Sequence, residues 1–122
     1  MLNGQTILVV EAEFLIALDL QRMLEELNAG QMLFARSPQE ACQLEPHWAT
    51  LALAIVEVQP DQPQAAVLLH GLHAAGIPVV ISTADTAMRR GHPDFPGVPV
   101  LLKPVAEEHL APALQLALLP PS

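Results

Sequence analysis

The chain has 122 residues, with thirteen Asp/Glu against five Lys/Arg and a net charge of -8. That length suits one domain with a real core, and an apolar fraction of 52 % with positive mean hydropathy excludes a disordered chain. The negative balance repels a phosphate backbone, which excludes direct nucleic-acid binding and favours a basic protein surface as partner. The single cysteine, Cys42, rules out an internal disulfide and a cysteine-only metal cluster. No basic stretch precedes the first apolar run, so the sequence reads without a signal peptide. No stretch reaches the ~20 uninterrupted apolar residues of a membrane span. A cytoplasmic location is the expectation.

Thr6–Val10 (TILVV) is β-rich and free of charge, as a strand buried on both faces should be. The segment from Glu13 to Asn28 reads as a helix. Leu15, Leu18, Met23, Leu24 and Leu27 recur at helical spacing, and Asn28-Ala29-Gly30 is a stop. Gln31–Ala35 reads as a second strand. Ser37-Pro38-Gln39-Glu40 opens a helix with an N-cap Ser, Pro at the first position and Glu at the third. Leu51–Val56 is the third strand, ended by Glu57, and a Pro-rich loop leads to a helix from Gln64 to Ala75 closed by Gly76. Pro78–Ser82 is the fourth strand. Between Ala84 and Gly97, Gly91, Pro93, Pro96 and Gly97 leave room for one short helix at most. Val98–Leu102 is the fifth strand, and Ala106 to Leu119 is the last helix. Pro112 within it predicts a kink or a late start, because proline has no N–H to donate. Leu110, Leu114 and Leu118 form its core stripe. Pro120-Pro121-Ser122 reads as a terminal tail.

Strands alternating with helices predict a parallel sheet covered on both faces. In such sheets ligand chemistry collects beyond the carboxyl ends of the strands. Glu11, Glu57, Thr83 and Lys103 each lie at or just after such an end, so four distant segments converge on one edge.

With these pieces in order, the chain resembles the receiver domain of bacterial response regulators over nearly its whole length. The resemblance is carried by ILVVEAEFLIALDLQRMLE, AIVEV, GIPVVISTAD and LLKPV. It implies a flavodoxin-like, doubly wound sheet in the order 2-1-3-4-5, and one domain over residues 1–122 with an irregular fourth helix region. In receivers the first strand ends in two acids that hold Mg2+. The third ends in the Asp that takes a phosphoryl group from a histidine kinase. The fourth ends in Thr or Ser, and the fifth in Lys followed by a cis proline. Thr83 and Lys103-Pro104 match this pattern, and Glu11 matches the first acid. Ala12 stands in the second acid's place, Glu57 in the phosphoacceptor's, and Val100 in that of an aromatic switch residue.

These departures bear on the chemistry. Mg2+ demands near-octahedral oxygen ligands at ~2.0–2.1 Å. Ala12 removes one ligand, and Glu57 moves another outward by roughly 1.5 Å, one carbon–carbon bond. The expectation is an impaired metal site, no cofactor, no enzymatic activity and no normal Asp phosphorylation. Two carboxylates repel by roughly 4 kcal/mol at 4 Å and an effective dielectric near 20, so Ala12 also relieves repulsion. Lys103 is then expected to balance Glu11 and Glu57 without a metal. Glu57 either reaches toward Thr83 in imitation of a phosphorylated residue or is an inert relic.

The function so implied is a degenerate receiver acting by protein contact in two-component signalling. Its partner would be a histidine kinase or a downstream regulator, with a homodimer admissible. The contact face would be formed by the fourth helix region, the fifth strand and the last helix. Two alternatives stand beside it. One is a working receiver phosphorylated on Glu57 or Asp61. The other is a small flavodoxin-like ligand-binding protein using the same edge. Thr83 also reads as a cap for the turn after it, and Glu13 as a first-turn acid favoured by the helix dipole. His70 and His73 share a helix face but lack the further ligands of a zinc site.

Overall fold

The structure is a computed structural model that describes residues 1–119; the tail reading of residues 120–122 lies outside the described residues. Five parallel strands form one sheet in the order β2-β1-β3-β4-β5, with β1 at Thr6–Val10, β2 at Met32–Ala35, β3 at Leu51–Glu57, β4 at Val79–Thr83 and β5 at Val100–Leu102. The order agrees with the expectation, and β4 and β5 each begin later than the sequence suggested. Pro78 and Pro99, placed there in strands, instead lie just before them. Each accepts a bond from the neighbouring strand through its carbonyl, which is all that a proline can offer a ladder.

Helices α1 (Phe14–Glu26) and α4 (Glu107–Leu118) cover one face of the sheet, and α2 (Pro38–Gln43) and α3 (Pro63–Ala74) the other. Each side has its own apolar core. Ile7, Val9, Leu53, Ile55 and Val80 meet Leu20, Leu24, Leu110 and Leu114 on the first side. Leu8, Val10, Ala54, Val56 and Ile81 meet Ala41, Leu68, Leu69 and Leu72 on the second. Alternate residues of each strand feed opposite cores, which is why the strands read as unbroken apolar runs.

The caps follow sequence chemistry where it is specific. Ser37 accepts from the Glu40 N–H at 3.1 Å and opens α2 as expected. Helix α4 begins at Glu107 and runs through Pro112, so the late start did not occur.

One reading is corrected, and the short, irregular fourth helix region is as expected. The buried stripe of α1 is Leu20, Met23 and Leu24, whereas Leu15 stands 77 % exposed and Leu18 is exposed too. The helix starts one residue later than expected, at Phe14; at about 100° per residue Leu15 and Leu18 lie roughly 140° and 160° around the helix from Leu20, which places them on the outer face. Residues 84–99 carry only a 3-10 turn at Thr86–Met88 and an isolated pairing of His92 with Phe95. No α-helix crosses between β4 and β5 among the described residues.

Candidate functional site

The carboxyl ends of β1, β3, β4 and β5 do converge, and the chemistry of the cleft is centred on one ammonium. Lys103 follows β5, and its Nζ donates to Glu11 Oε2 at 3.0 Å, to Glu13 Oε1 at 3.2 Å and, most closely, to Glu57 Oε2. The lysine side chain is 5 % exposed, and Glu11 and Glu57 are buried beside it. The peptide between Lys103 and Pro104 is cis.

Backbone amides fix the acids further. Glu57 Oε1 accepts from the Ala12 N–H at 2.9 Å, and Glu57 Oε2 also accepts from Gln59 Nε2 at 3.3 Å. Glu11 Oε2 accepts from the Glu13 N–H at 2.9 Å, while Glu11 Oε1 is buried without a partner. Glu57 therefore ties the end of β3 to the β1–α1 junction and to the end of β5.

This geometry sets the protonation preferences. For Lys103, burial works against the charge, but the bonds to Glu57 and Glu11 outweigh it and hold the ammonium pKa above its usual value. Burial would also raise Glu57, yet donation from Lys103, Ala12 and Gln59 together brings its pKa below the ordinary carboxylate value. For Glu11, burial wins and its pKa is raised, consistent with one oxygen having no donor. Two similar acids are thus pushed apart by how many donors each receives.

Three placements differ from expectation or were missed. Glu57 makes no hydrogen bond to Thr83; its oxygens are taken by Ala12, Lys103 and Gln59. The buried Thr83 hydroxyl accepts from the Asp85 N–H at 3.1 Å, the turn-capping role. Glu13 is the N-cap residue of α1 and sends its carboxylate to Lys103 instead of lying in the first helical turn. Its signal was present in the spacing of VVEAE, which puts a third acid next to the cleft. The contribution of Ala12 could not be read from its side chain, since only its N–H takes part. Asp61 is exposed in the β3–α3 loop with φ 59° and is not among the carboxylates that gather around Lys103.

The large apolar groove of the molecule lies elsewhere. It has a volume of about 690 Å³ and sits at the opposite end of the sheet, between the end of α3, the starts of β4 and β5, and the end of α4. No helix is long and apolar enough to cross a membrane among the described residues.

The fold agrees with that of known receivers. Over 98 % of this chain and the whole of the other, it superposes with a TM-score of 0.78 at 27 % identity on the solution structure of SdrG from Sphingomonas melonis Fr1. The signal receiver domain of an HD domain-containing protein from Pseudomonas fluorescens Pf-5 gives a TM-score of 0.70 at 25 % identity, covering 93 % and 94 % of the two chains. The chain has the fold of a response-regulator receiver domain. The receiver domain of the response regulator PhyR from Erythrobacter litoralis shares this fold, with a TM-score of 0.78 at 20 % identity over 98 % and 97 % of the chains. No protein-family model matches the chain, and no curated protein matches it by sequence.

The receiver resemblance implies Mg2+ in this cleft. Oxygens of Glu11, Glu13 and Glu57 lie within 4.8 Å of one another and could in principle serve as ligands. As arranged, the donor set does not fit a hard divalent ion. Each of the three acids gives an oxygen to Lys103, the other oxygen of Glu57 is held by Ala12 N–H, and Ala12 brings no carboxylate.

Proposed function

We propose that this receiver-fold chain is a non-enzymatic module of two-component signalling that works by protein–protein contact, without phosphorylation at the position of the usual Asp. The observation that carries this reading is the triple engagement of Lys103 by Glu11, Glu13 and Glu57. Acyl-phosphate formation needs a carboxylate oxygen free to attack and a cation that neutralises the incoming phosphoryl group. At residue 57 both oxygens are occupied, and the nearby positive charge is already balanced. The partner in this reading is a histidine kinase or a downstream regulator, met in the cytoplasm.

Incubation with acetyl phosphate and Mg2+, read by intact mass, is expected to leave the chain unmodified. The double variant Ala12→Asp, Glu57→Asp restores the oxygen ligand and shortens the acceptor, and is expected to gain Mg2+ binding. A stoichiometric phosphoryl adduct on the native chain would overturn the reading.

A second reading has one observation in its favour: the orphaned Glu11 Oε1 beside the exposed carboxylate of Glu13. If Lys103 swung away, these acids could take a cation and Glu57 a phosphoryl group. Tight Mg2+ binding by the native chain in a calorimetric titration would favour this second reading, and its absence the first.

A further inference from the structure

We propose that the groove at the amino ends of β4 and β5 is a binding site for a small organic ammonium, a molecule with a cationic amine at one end and an apolar body. This goes beyond the reading of the Lys103 cleft, which lies at the other end of the sheet, and does not rest on it.

The groove exists because the crossover from β4 to β5 lacks an α-helix among the described residues. Residues 84–99 supply only a 3-10 turn and an irregular run containing Phe95 and Val98. Leu69, Ile77 and Val79, from the end of α3 to the start of β4, form one apolar side, and Leu116 of α4 stands on the lip. His70 and His92 both pack on the Phe95 ring, with centroids 4.8 and 5.1 Å away, so the aromatic wall is fixed. The volume of about 690 Å³ falls in the range of small-molecule sites, roughly 300–1,000 Å³. Such sites combine apolar walls with a few polar groups that set the ligand's charge and orientation.

The polar groups of the lining choose the charge. Its backbone donors are largely bonded already: Gly76 N–H donates to the His73 carbonyl, Ile77 to Leu72, Phe95 to His92 and Val98 to Phe95. Asp94 N–H donates to His92 Nδ1 at 3.0 Å, and Pro78, Pro96 and Pro99 have no N–H to offer. No Lys or Arg lines the groove. An anionic ligand would therefore face the carboxylate of Asp94 with only the imidazoles of His70 and His73 as side-chain donors. A cation meets the reverse situation. Asp94 is the one acid or base of fixed charge in the lining, and its carboxylate joins none of the ion pairs among the described residues. A ligand ammonium gives that carboxylate a partner, and the adjacent Phe95 ring offers the cation an aromatic face. The net charge of -8 draws cations toward the whole surface. Asp94 and the apolar walls decide where an amphiphilic one stays.

The test uses three probes with one apolar body and three charges: phenylbutylammonium, phenylbutanol and phenylbutyrate. Each is titrated into the full chain at about pH 8, above the ordinary imidazole range, and followed by calorimetry and amide shift mapping. The ammonium is expected to bind saturably and to shift His70, Phe95 and Leu116. It should bind roughly fivefold tighter than the alcohol, with the carboxylate weakest. Asp94→Asn, at an exposed position, should remove the preference for the ammonium and leave binding of the alcohol intact. Leu116→Lys, also exposed, should reverse the order in favour of the carboxylate. Both variants are expected to keep the native melting temperature. The proposal is overturned by no saturable binding of the ammonium, or by alcohol or carboxylate binding as tightly. A preference that survives Asp94→Asn would also overturn it, by assigning the effect to net charge. So would ammonium-induced shifts centred on Glu11 and Glu57. None of these readouts involves phosphoryl transfer, so this proposal and the preceding one can fail separately.

Discussion

Two clusters in this protein have the same formula, one cation and three carboxylates. Lys103 binds Glu11, Glu13 and Glu57, and Arg22 binds Asp19, Glu26 and Glu107 at 3.1, 3.2 and 3.3 Å. The lysine side chain is 5 % exposed and the arginine side chain 55 %. Around Arg22 every side chain is more than half exposed, so water screens each contact. Around Lys103, Glu11 and Glu57 are buried with the lysine, so removing the ammonium leaves their charge poorly solvated, while Glu13 remains in water. The same contacts are therefore a surface decoration in one place and the organising centre of a cleft in the other.

The comparison is broken most sharply at Lys103. Lys103→Met leaves Glu11 and Glu57 buried with no cation. It is expected to cost about 3–5 kcal/mol in urea unfolding at neutral pH. Part of that loss should return on acidification, as the acids protonate. A loss no greater than that of an exposed substitution would show that water, and not the lysine, solvates these acids.

Glu57→Gln keeps the shape and removes the charge. Its expected cost is about 1–3 kcal/mol, the value of charge-assisted bonds. The pH dependence has a definite sign. The native pKa of Glu57 lies below its ordinary value of 4.5. Its stabilisation is thus present above that value and lost as pH falls through the lower native pKa. Glu11 has a raised pKa, so its protonation begins above 4.5 and relieves the buried charge as pH falls. Native protein and Glu57→Gln should accordingly converge in stability in acid. Parallel profiles would contradict the role given to Glu57.

The smallest effect is expected at the surface. Arg22→Gln should give no resolvable shift in melting temperature at physiological salt, where the Debye length is about 8 Å. A large shift would erase the contrast between the two clusters.

What was legible in the sequence follows from what each feature depends on. The parallel sheet was readable because TILVV and LALAIV are charge-free, β-rich runs that alternate with helical segments, whereas the order 2-1-3-4-5 came from the resemblance to receivers. The meeting of Glu11, Glu57, Thr83 and Lys103 at one edge followed from their positions after strand ends. The outward turn of Leu15 was legible but missed, since five residues at about 100° each put it roughly 140° around the helix from Leu20. The direction of Glu57 was not readable. It depends on the N–H of Ala12, a group that every residue except proline carries, so no side chain announces it. The groove was hidden for a related reason: the Pro/Gly content of residues 84–99 announced a missing helix but not the shape of the space left behind.

Direct observation of the Lys103 ammonium tests the central claim most closely. In nitrogen-15 NMR of the lysine side chains, Lys103 should give a slowly exchanging, hydrogen-bonded NH3+ signal that disappears in Lys103→Met. The account predicts that this signal persists when millimolar Mg2+ and acetyl phosphate are added. Its loss or a large shift on that addition, with an adduct at residue 57, would contradict the account.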